Sequence, residues 1–143
     1  MEEPIRLSML LKMVDHLFES ELNKKVALMD LTHSQCRILC FLDRNRDRDI
    51  YLNDIEKKFC LKRPTVTGII KRLEEKEFIS VVQKHDDKRY KIVTLTHKSE
   101  NILKLMEENL NNTERTLCSG ISDEEKSEVY RILSVMLNNI RNT

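Results

Sequence analysis

Tryptophan is absent from this 143-residue chain, glycine and proline occur twice each, and aromatic residues make up only 5 %. So few turn-forming residues leave little room for long irregular loops or many hairpins, and a mainly helical chain is expected. Long apolar runs are missing too, so no segment has the length of a bilayer span and no membrane partner is expected. The first twelve residues lack the basic, apolar, small-residue order of a secretory signal, which makes a cytoplasmic location the expectation. The four cysteines, Cys36, Cys40, Cys60 and Cys118, contain no C-x-x-C pair, and a reducing compartment keeps them as thiols. Burial as small apolar residues is their plainer role. A Gly-rich phosphate loop, an H-E-x-x-H motif and a nucleophile elbow are all lacking. His16, His33, His85 and His97 fall on separate segments without ligand-like spacing. The expectation is therefore a protein that is not an enzyme and carries neither cofactor nor metal.

What is present concentrates in residues 53–96. A short helix beginning at Asn53, with Glu56 three residues on, packs through Ile55 and Phe59 and leads into a turn at Cys60 to Arg63. A second helix, Pro64 to Lys76, follows, with Val66, Ile69, Ile70 and Leu73 at i, i+3, i+4 and i+7. Advancing 100° per residue puts Pro64, Gly68 and Lys71 at the centre of the opposite face, flanked by Thr65, Thr67 and Arg72. After Phe78 the period changes to alternation: Ile79 to Gln83 and Tyr90 to Leu95 read as two strands around the polar turn His85 to Lys88. Helix, turn, helix and hairpin in that order is a winged helix-turn-helix, and small, hydroxyl and cationic residues suit a helix that enters a major groove. The net charge of +1 hides an uneven split. Residues 62–91 hold nine Lys or Arg against five Asp or Glu, net +4, whereas the remainder holds 16 against 19, net −3. Positive charge thus sits where a phosphate-binding surface needs it.

The flanks read as helices. After Pro4, Leu7, Leu10, Leu11, Val14, Leu17, Phe18 and Leu22 keep a helical spacing over several turns. Thr32 and Gln35 form a capping box that opens a further helix of Cys36, Leu39, Cys40 and Leu42. The charged run Asp43 to Asp49 reads as an exposed loop and Ile50 to Leu52 as a short strand. From Thr96 the helical pattern returns through Ile102, Met106, Leu110 and Leu117 to Gly120. It restarts at Ser122, with Glu125 as its partner, and a last helix buries Val129, Leu133, Met136, Leu137 and Ile140. So short a chain has no further layer to cover these terminal helices, so a symmetric homodimer is expected.

These pieces together resemble the MarR family of bacterial transcriptional regulators. The resemblance rests on Leu31-Thr32 with Gln35, on Leu61-Lys62-Arg63-Pro64-Thr65-Val66-Thr67 leading to Leu73-Glu74-Glu75-Lys76, and on Asp87-Lys88-Arg89 followed by Leu95-Thr96. It implies a single chain over 1–143, mainly α with a small β-hairpin wing. A winged helix-turn-helix DNA-binding lobe would span 32–96, and helical dimerisation regions would span 5–30 and 98–143. The implied partners are double-stranded DNA, a second copy of the chain and a small-molecule effector. The implied activity is that of a repressor on a near-palindromic operator, with half-sites roughly 34–36 Å apart. Thr65, Thr67, Lys71 and Arg72 would face the major groove or its phosphates. Lys88 and Arg89 would reach the minor groove or backbone, with Asp87 orienting Arg89 through an ion pair. Lys62, Arg63 and Lys84, with His85, would meet phosphates. A simple hairpin-closing pair is the alternative for Asp87 and Arg89.

Three positions depart from the family. Glu77 and Cys60 stand where relatives usually carry glycine, and a left-handed backbone there would cost about 1 kcal/mol or more. Gly68 sits in mid-helix, where it costs roughly 1 kcal/mol relative to alanine. Relatives hold effectors between the dimer helices and the DNA-binding lobe, which makes Leu11, His16, Met29, Cys36 and Met106 candidate walls, with plain core packing the alternative. Two further alternatives stand beside the ligand-responsive regulator. One is a thiol-based redox switch through Cys60 or Cys118; the other is a winged-helix module for protein partners.

Overall fold

In the computed structural model, which describes residues 3–84, 86–87 and 90–143, helix α1 (Leu7–Ala27) leads through a short link into α2 (His33–Arg44). Next come α3 (Leu52–Phe59) and α4 (Arg63–Glu75), the hairpin β1 (Ile79–Gln83) and β2 (Lys91–Leu95), and finally α5 (Ser99–Leu117) and α6 (Asp123–Arg141). The strands are antiparallel, with Ile79 opposite Leu95 and Gln83 opposite Lys91.

Local chemistry accounts for most boundaries. The Gln35 amide donates to Thr32 Oγ1 at 3.2 Å and the Thr32 amide to Gln35 Oε1 at 3.1 Å, so the expected capping box opens α2. Ser122 and Glu125 repeat it at α6 with two bonds of 3.1 Å. At α3 the structure corrects the expected start. The helix begins at Leu52, and it is the Tyr51 amide that donates to Asp54 Oδ2 at 2.9 Å. Asn53 already lies within the first turn. The short strand expected at Ile50 to Leu52 shrinks to one bridge, Tyr51 opposite Ile92, with the Val93 amide donating to the Ile50 carbonyl at 2.8 Å. The charged loop also begins later than expected, because α2 continues through Arg44.

Both suspected glycine positions are left-handed: Cys60 has φ 52° and Glu77 φ 64°. After α4 the Glu77 amide donates to the Glu74 carbonyl at 2.9 Å and the Phe78 amide to the Leu73 carbonyl at 3.1 Å, the two bonds of a Schellman end. Its accompanying apolar contact comes from Leu73 and Phe78, both buried. Thr96 Oγ1 donates to the Glu77 carbonyl at 2.6 Å, and the Thr96 amide to the Phe78 carbonyl at 3.1 Å, so the end of the hairpin holds the end of the helix. Lys98 adds a bond from Nζ to the Lys76 carbonyl at 3.0 Å.

The core lies in the lobe formed by α2, α3, α4 and the hairpin. Leu39, Ile55, Val66 and Leu73 are fully buried there, joined by Ile38 and Ile79. The flanking helices differ. Leu103, Met106, Asn109 and Thr113 of α5 are buried, and α5 packs on α1. No residue of α6 is buried, and Val129, Leu133, Leu137 and Ile140 are all exposed, the apolar face that the sequence leaves without a further layer in the same chain to cover it. Leu7, Leu10, Leu11, Val14 and Leu17 of α1 are exposed as well. The apolar faces are as the spacing predicts, but one chain offers them nothing to pack against.

Candidate nucleic-acid interface and an adjoining cavity

Helix α4 is divided as its periodicity requires. Val66, Ile69, Ile70 and Leu73 are buried, while Thr65, Thr67, Lys71 and Arg72 are exposed on the other side. Pro64 occupies the first turn, where its missing N–H removes no helical bond. Gly68 lies between the exposed residues, and a Cβ built on it would meet nothing within 4 Å. Lys62 caps the helix in extended conformation and is exposed. Among the described residues, Lys62, Lys71 and Arg72 have no ion-pair partner.

Two of the expected phosphate contacts are engaged within the chain. Arg63 Nε pairs with Glu56 Oε1 of α3, fastening the second helix of the pair to the first. Glu56 also receives the Leu61 amide on its carbonyl at 3.1 Å, so one residue organises the turn from both its side chain and its backbone. Lys84 Nζ lies 3.5 Å from both the Tyr51 hydroxyl and Asp49 Oδ2. The Tyr51 hydrogen bond, then the Asp49 carboxylate, holds the lysine's pKa above its ordinary value. Lys84 therefore ties the base of the hairpin to the segment before α3, while its amide donates to the Tyr90 carbonyl at 2.7 Å. Lys88, Arg89 and His85 lie outside the described residues, and with them the proposed pair of Asp87 and Arg89. Asp87 accepts the Tyr90 amide on its carbonyl at 3.1 Å.

The other end of α4 is anchored by Lys76. Its Nζ donates to the Asp30 carbonyl and lies 3.4 Å from Gln35 Oε1, the same side chain that caps α2. Asp30 is itself left-handed, with φ 56°. The helix that faces outward is thus fastened at its start to α3 and at its end to the link between α1 and α2. Sequence reasoning overlooked Glu56, Lys76 and Thr96 in these roles, since each bond spans segments that periodicity treats separately.

A cavity of about 660 Å³ opens between α1, α2, α5 and the end of α3. Of the expected walls, Cys36 and Met106 line it; Leu11, His16 and Met29 do not. Leu11 is exposed on α1, and Met29 packs against the core beyond the end of α1. Burial pushes the Cys36 thiol up to about 12 and raises that of Cys40 as well. His33, Arg37, Cys40 and Arg44 fall at i, i+4, i+7 and i+11 along α2, so the polar stripe bordering the cavity was readable as a helical face. Arg37 stands 5.1 Å over the ring of Phe59, which meets Phe41 edge-on at 5.7 Å. No group of three or more metal-ligating side chains occurs among the described residues.

The MarR family model matches residues 31–91 of the chain, the stretch from the first capping box to the second strand. The uncharacterized HTH-type transcriptional regulator YfiV of Bacillus subtilis (strain 168) is 29 % identical over 115 residues, 80 % of this chain and 70 % of that protein. Among solved structures, MepR, a transcription regulator of the Staphylococcus aureus multidrug efflux pump MepA, is similar at 26 % identity and a TM-score of 0.83. That match covers 95 % of this chain and 99 % of MepR. The structure of the S. aureus MepR–DNA complex matches at 27 % identity and a TM-score of 0.74, over 94 % of this chain and 96 % of that one. The helix-turn-helix and hairpin wing therefore lie in the stretch that matches the MarR family model, and the chain as a whole is similar in fold to the transcription regulator MepR.

Proposed function

We propose that the protein is a homodimeric, sequence-specific DNA-binding repressor that a small ligand releases from a near-palindromic operator in the cytoplasm. The observation that carries this reading is α4. Its apolar side is buried, and its opposite side offers Thr65, Thr67, Lys71 and Arg72 to solvent around a glycine. Cations without ion-pair partners gain most from phosphates, because no internal salt bridge has to be given up. That MepR has been solved bound to DNA supports the same use of the shared fold. In this reading residues 32–96 are the DNA-binding lobe, and 5–30 with 98–143 dimerise. Lys62, Thr65, Thr67, Lys71, Arg72, Lys88 and Arg89 contact DNA, Arg63 and Lys84 hold the lobe together at its edge, and Asp87 orients Arg89.

Dimerisation is supported by the exposed apolar faces of α1 and α6. Side chains such as Leu17 at 62 % exposure and Ile140 at 75 % are worth about 1.5–3 kcal/mol each when fully buried. Two lobes joined by these helices would read two half-sites about one turn apart. A ligand in the cavity touches both the dimer helices and α3, so it can bias their relative position and with it the spacing of the two α4 helices. The raised thiols of Cys36 and Cys40 work against a redox switch at those two positions, because the thiol rather than the thiolate dominates at neutral pH. The test is to select DNA from a random pool with the purified protein and titrate binding against salt. A preferred inverted repeat and a steep salt slope are expected; neither appearing would overturn the reading.

A further inference from the structure

Lys76 closes α4 on a different side from the cations offered to solvent. Advancing 100° per residue from Ile69 brings position 76 back to within about 20° of that buried residue, well away from the outer face of Lys71 and Gly68. The side chain is accordingly only 33 % exposed. Its ammonium donates to the Asp30 carbonyl, lies 3.4 Å from Gln35 Oε1 and stands 3.9 Å from the Asp30 carboxylate. Two hydrogen-bond acceptors and a carboxylate thus surround one three-donor cation, and bonds from a charged donor are the strong ones. Gln35 is 3 % exposed, and its Oε1 already takes the Thr32 amide, so one buried oxygen joins the start of α2 to the end of α4. Asp30 has φ 56°, a costly conformation for a residue with a Cβ, and the bond from Lys76 holds that turn between α1 and α2.

A second tie reaches the same end from the other long helix. Lys98 Nζ donates to the Lys76 carbonyl at 3.0 Å, lies 3.6 Å from Glu77 Oε2 and stands 5.3 Å over the Phe78 ring. Thr96 and Lys98 belong to the link from β2 into α5. Residues 76–78 are therefore bonded both to the chain leaving α1 and to the chain entering α5, and these two helices pack on each other. The start of α4, by contrast, is bonded to α3 through Arg63 and Glu56. The geometry gives leverage. At a rise of 1.5 Å per residue, Thr65 lies about 16.5 Å along the axis from Lys76, so a tilt of about 5° at that end displaces it by about 1.4 Å. Such a shift is enough to break a base-edge hydrogen bond.

We propose that Lys76 is a positioning residue for operator recognition: by tying the end of α4 to the link between α1 and α2, it makes the reading helix follow the dimer helices and restricts the half-site separation that the protein accepts. This rests on the homodimeric, DNA-binding reading above and adds the residue that sets its spacing selectivity. Lys76 itself touches no DNA. Its loss lets each α4 swing on α3, so the two helices reach half-sites that the native dimer rejects, and the best site loses part of its advantage.

The experiment uses the full-length protein and duplexes carrying the inverted repeat that the protein itself enriches, with the spacer kept, shortened or lengthened by one base pair. Each step moves the half-sites by about 3.4 Å and turns them by about 35°. The native protein is expected to lose at least about tenfold in affinity at either altered spacing. Lys76→Met, which keeps the apolar stem, should bind the best site roughly 3- to 10-fold more weakly and show a spacing penalty of no more than about threefold. Its salt slope should stay unchanged, because no phosphate contact is lost. Lys76→Arg, which keeps charged donors for the same acceptors, should restore the spacing penalty. If Lys76→Met fails to fold, Lys76→Gln, a shorter side chain with a neutral donor, should relax the penalty in the same direction. The proposal is overturned if the folded variant keeps the full spacing penalty, if it weakens binding equally at every spacing, or if its salt slope falls as for a phosphate contact. In each of those cases the native protein still binds its repeat, and the regulator stands. A native protein that enriches no inverted repeat would sink the regulator and this proposal with it.

Discussion

Replacing Gly68 by alanine sets a stability effect against a binding effect at one position. Gly68 is in the interior of α4, its φ is not positive, and an added Cβ has nothing within 4 Å to strike. Neither backbone nor packing requires glycine there, so Gly68→Ala should stabilise each protomer by about 1 kcal/mol, the helix-interior difference between the two residues. For a chain of this size that is a rise in melting temperature of roughly 2–4 °C at fixed protein concentration. Gly120 supplies the control. It has the same empty surroundings but φ 81°, so Gly120→Ala should lower stability by about 1–2 kcal/mol. If the outer face of α4 lies against base edges, the methyl at 68 intrudes on that contact. The more stable protein should then bind its operator at least about tenfold more weakly, or with altered preference at one base pair of each half-site. Differential scanning fluorimetry and a binding isotherm on the same preparation measure both. A melting temperature that falls refutes the account of the free space. A rise with unchanged operator affinity refutes the close approach of position 68 to DNA.

Other perturbations separate positions of different roles. Lys71→Gln should lower operator affinity about equally across sequences and reduce the slope of log affinity against log salt by about two per dimer; a change of base preference instead would make Lys71 a base contact. Arg89→Ala should weaken operator binding about tenfold or more, and unchanged binding would remove the wing from the interface. At neutral pH, Cys60, which is exposed, should react first with a thiol reagent. Cys36, buried and raised to about 12 from an ordinary 9.0, should stay protected until the protein unfolds; early labelling of Cys36 would contradict its burial. Hydrogen bonds from Ser122 hold the Glu125 carboxyl below its usual range. The capping box should therefore contribute stability above that range and lose it as the pH falls through and below it. Amide exchange at the start of α6 should rise on acidification, and Glu125→Gln, which keeps an acceptor for the Ser122 amide but no longer titrates, should remove most of that dependence.

How much could be read in advance follows from the range of each interaction. Val66, Ile69, Ile70 and Leu73 declare the buried side of α4 by spacing alone, and Thr32 with Gln35 or Ser122 with Glu125 declare a helix start within four residues. The left-handed turns at Cys60 and Glu77 were legible only as departures from a family habit, since neither residue type signals such a backbone. The start of α3 was misplaced because Asn53 is the better capping residue on paper. The pairing of Tyr51 with Ile92 on the hairpin settles where the strand-like segment ends and the helix begins. Roles that depend on distant partners stayed hidden: Arg63 on Glu56, Lys84 on Tyr51 and Asp49, Lys76 on Asp30 and Gln35. The cavity was half legible. Cys36 and Met106 were among the walls that the family resemblance implied, while Arg37 drew no reading and Arg44 fell in the run read as an exposed loop, although both share one helical face with Cys40.

The most direct test of the central claim is the sequence of the DNA that the purified protein retains from a random pool. A homodimer that reads DNA with two α4 helices should enrich an inverted repeat whose half-site centres lie about 10–10.5 base pairs apart, with binding that weakens steeply as salt increases. Substitutions at Thr65, Thr67 or Arg72 should change bases within the half-sites and not their separation. A pool that stays random, or an enriched site without two-fold symmetry, would contradict the account.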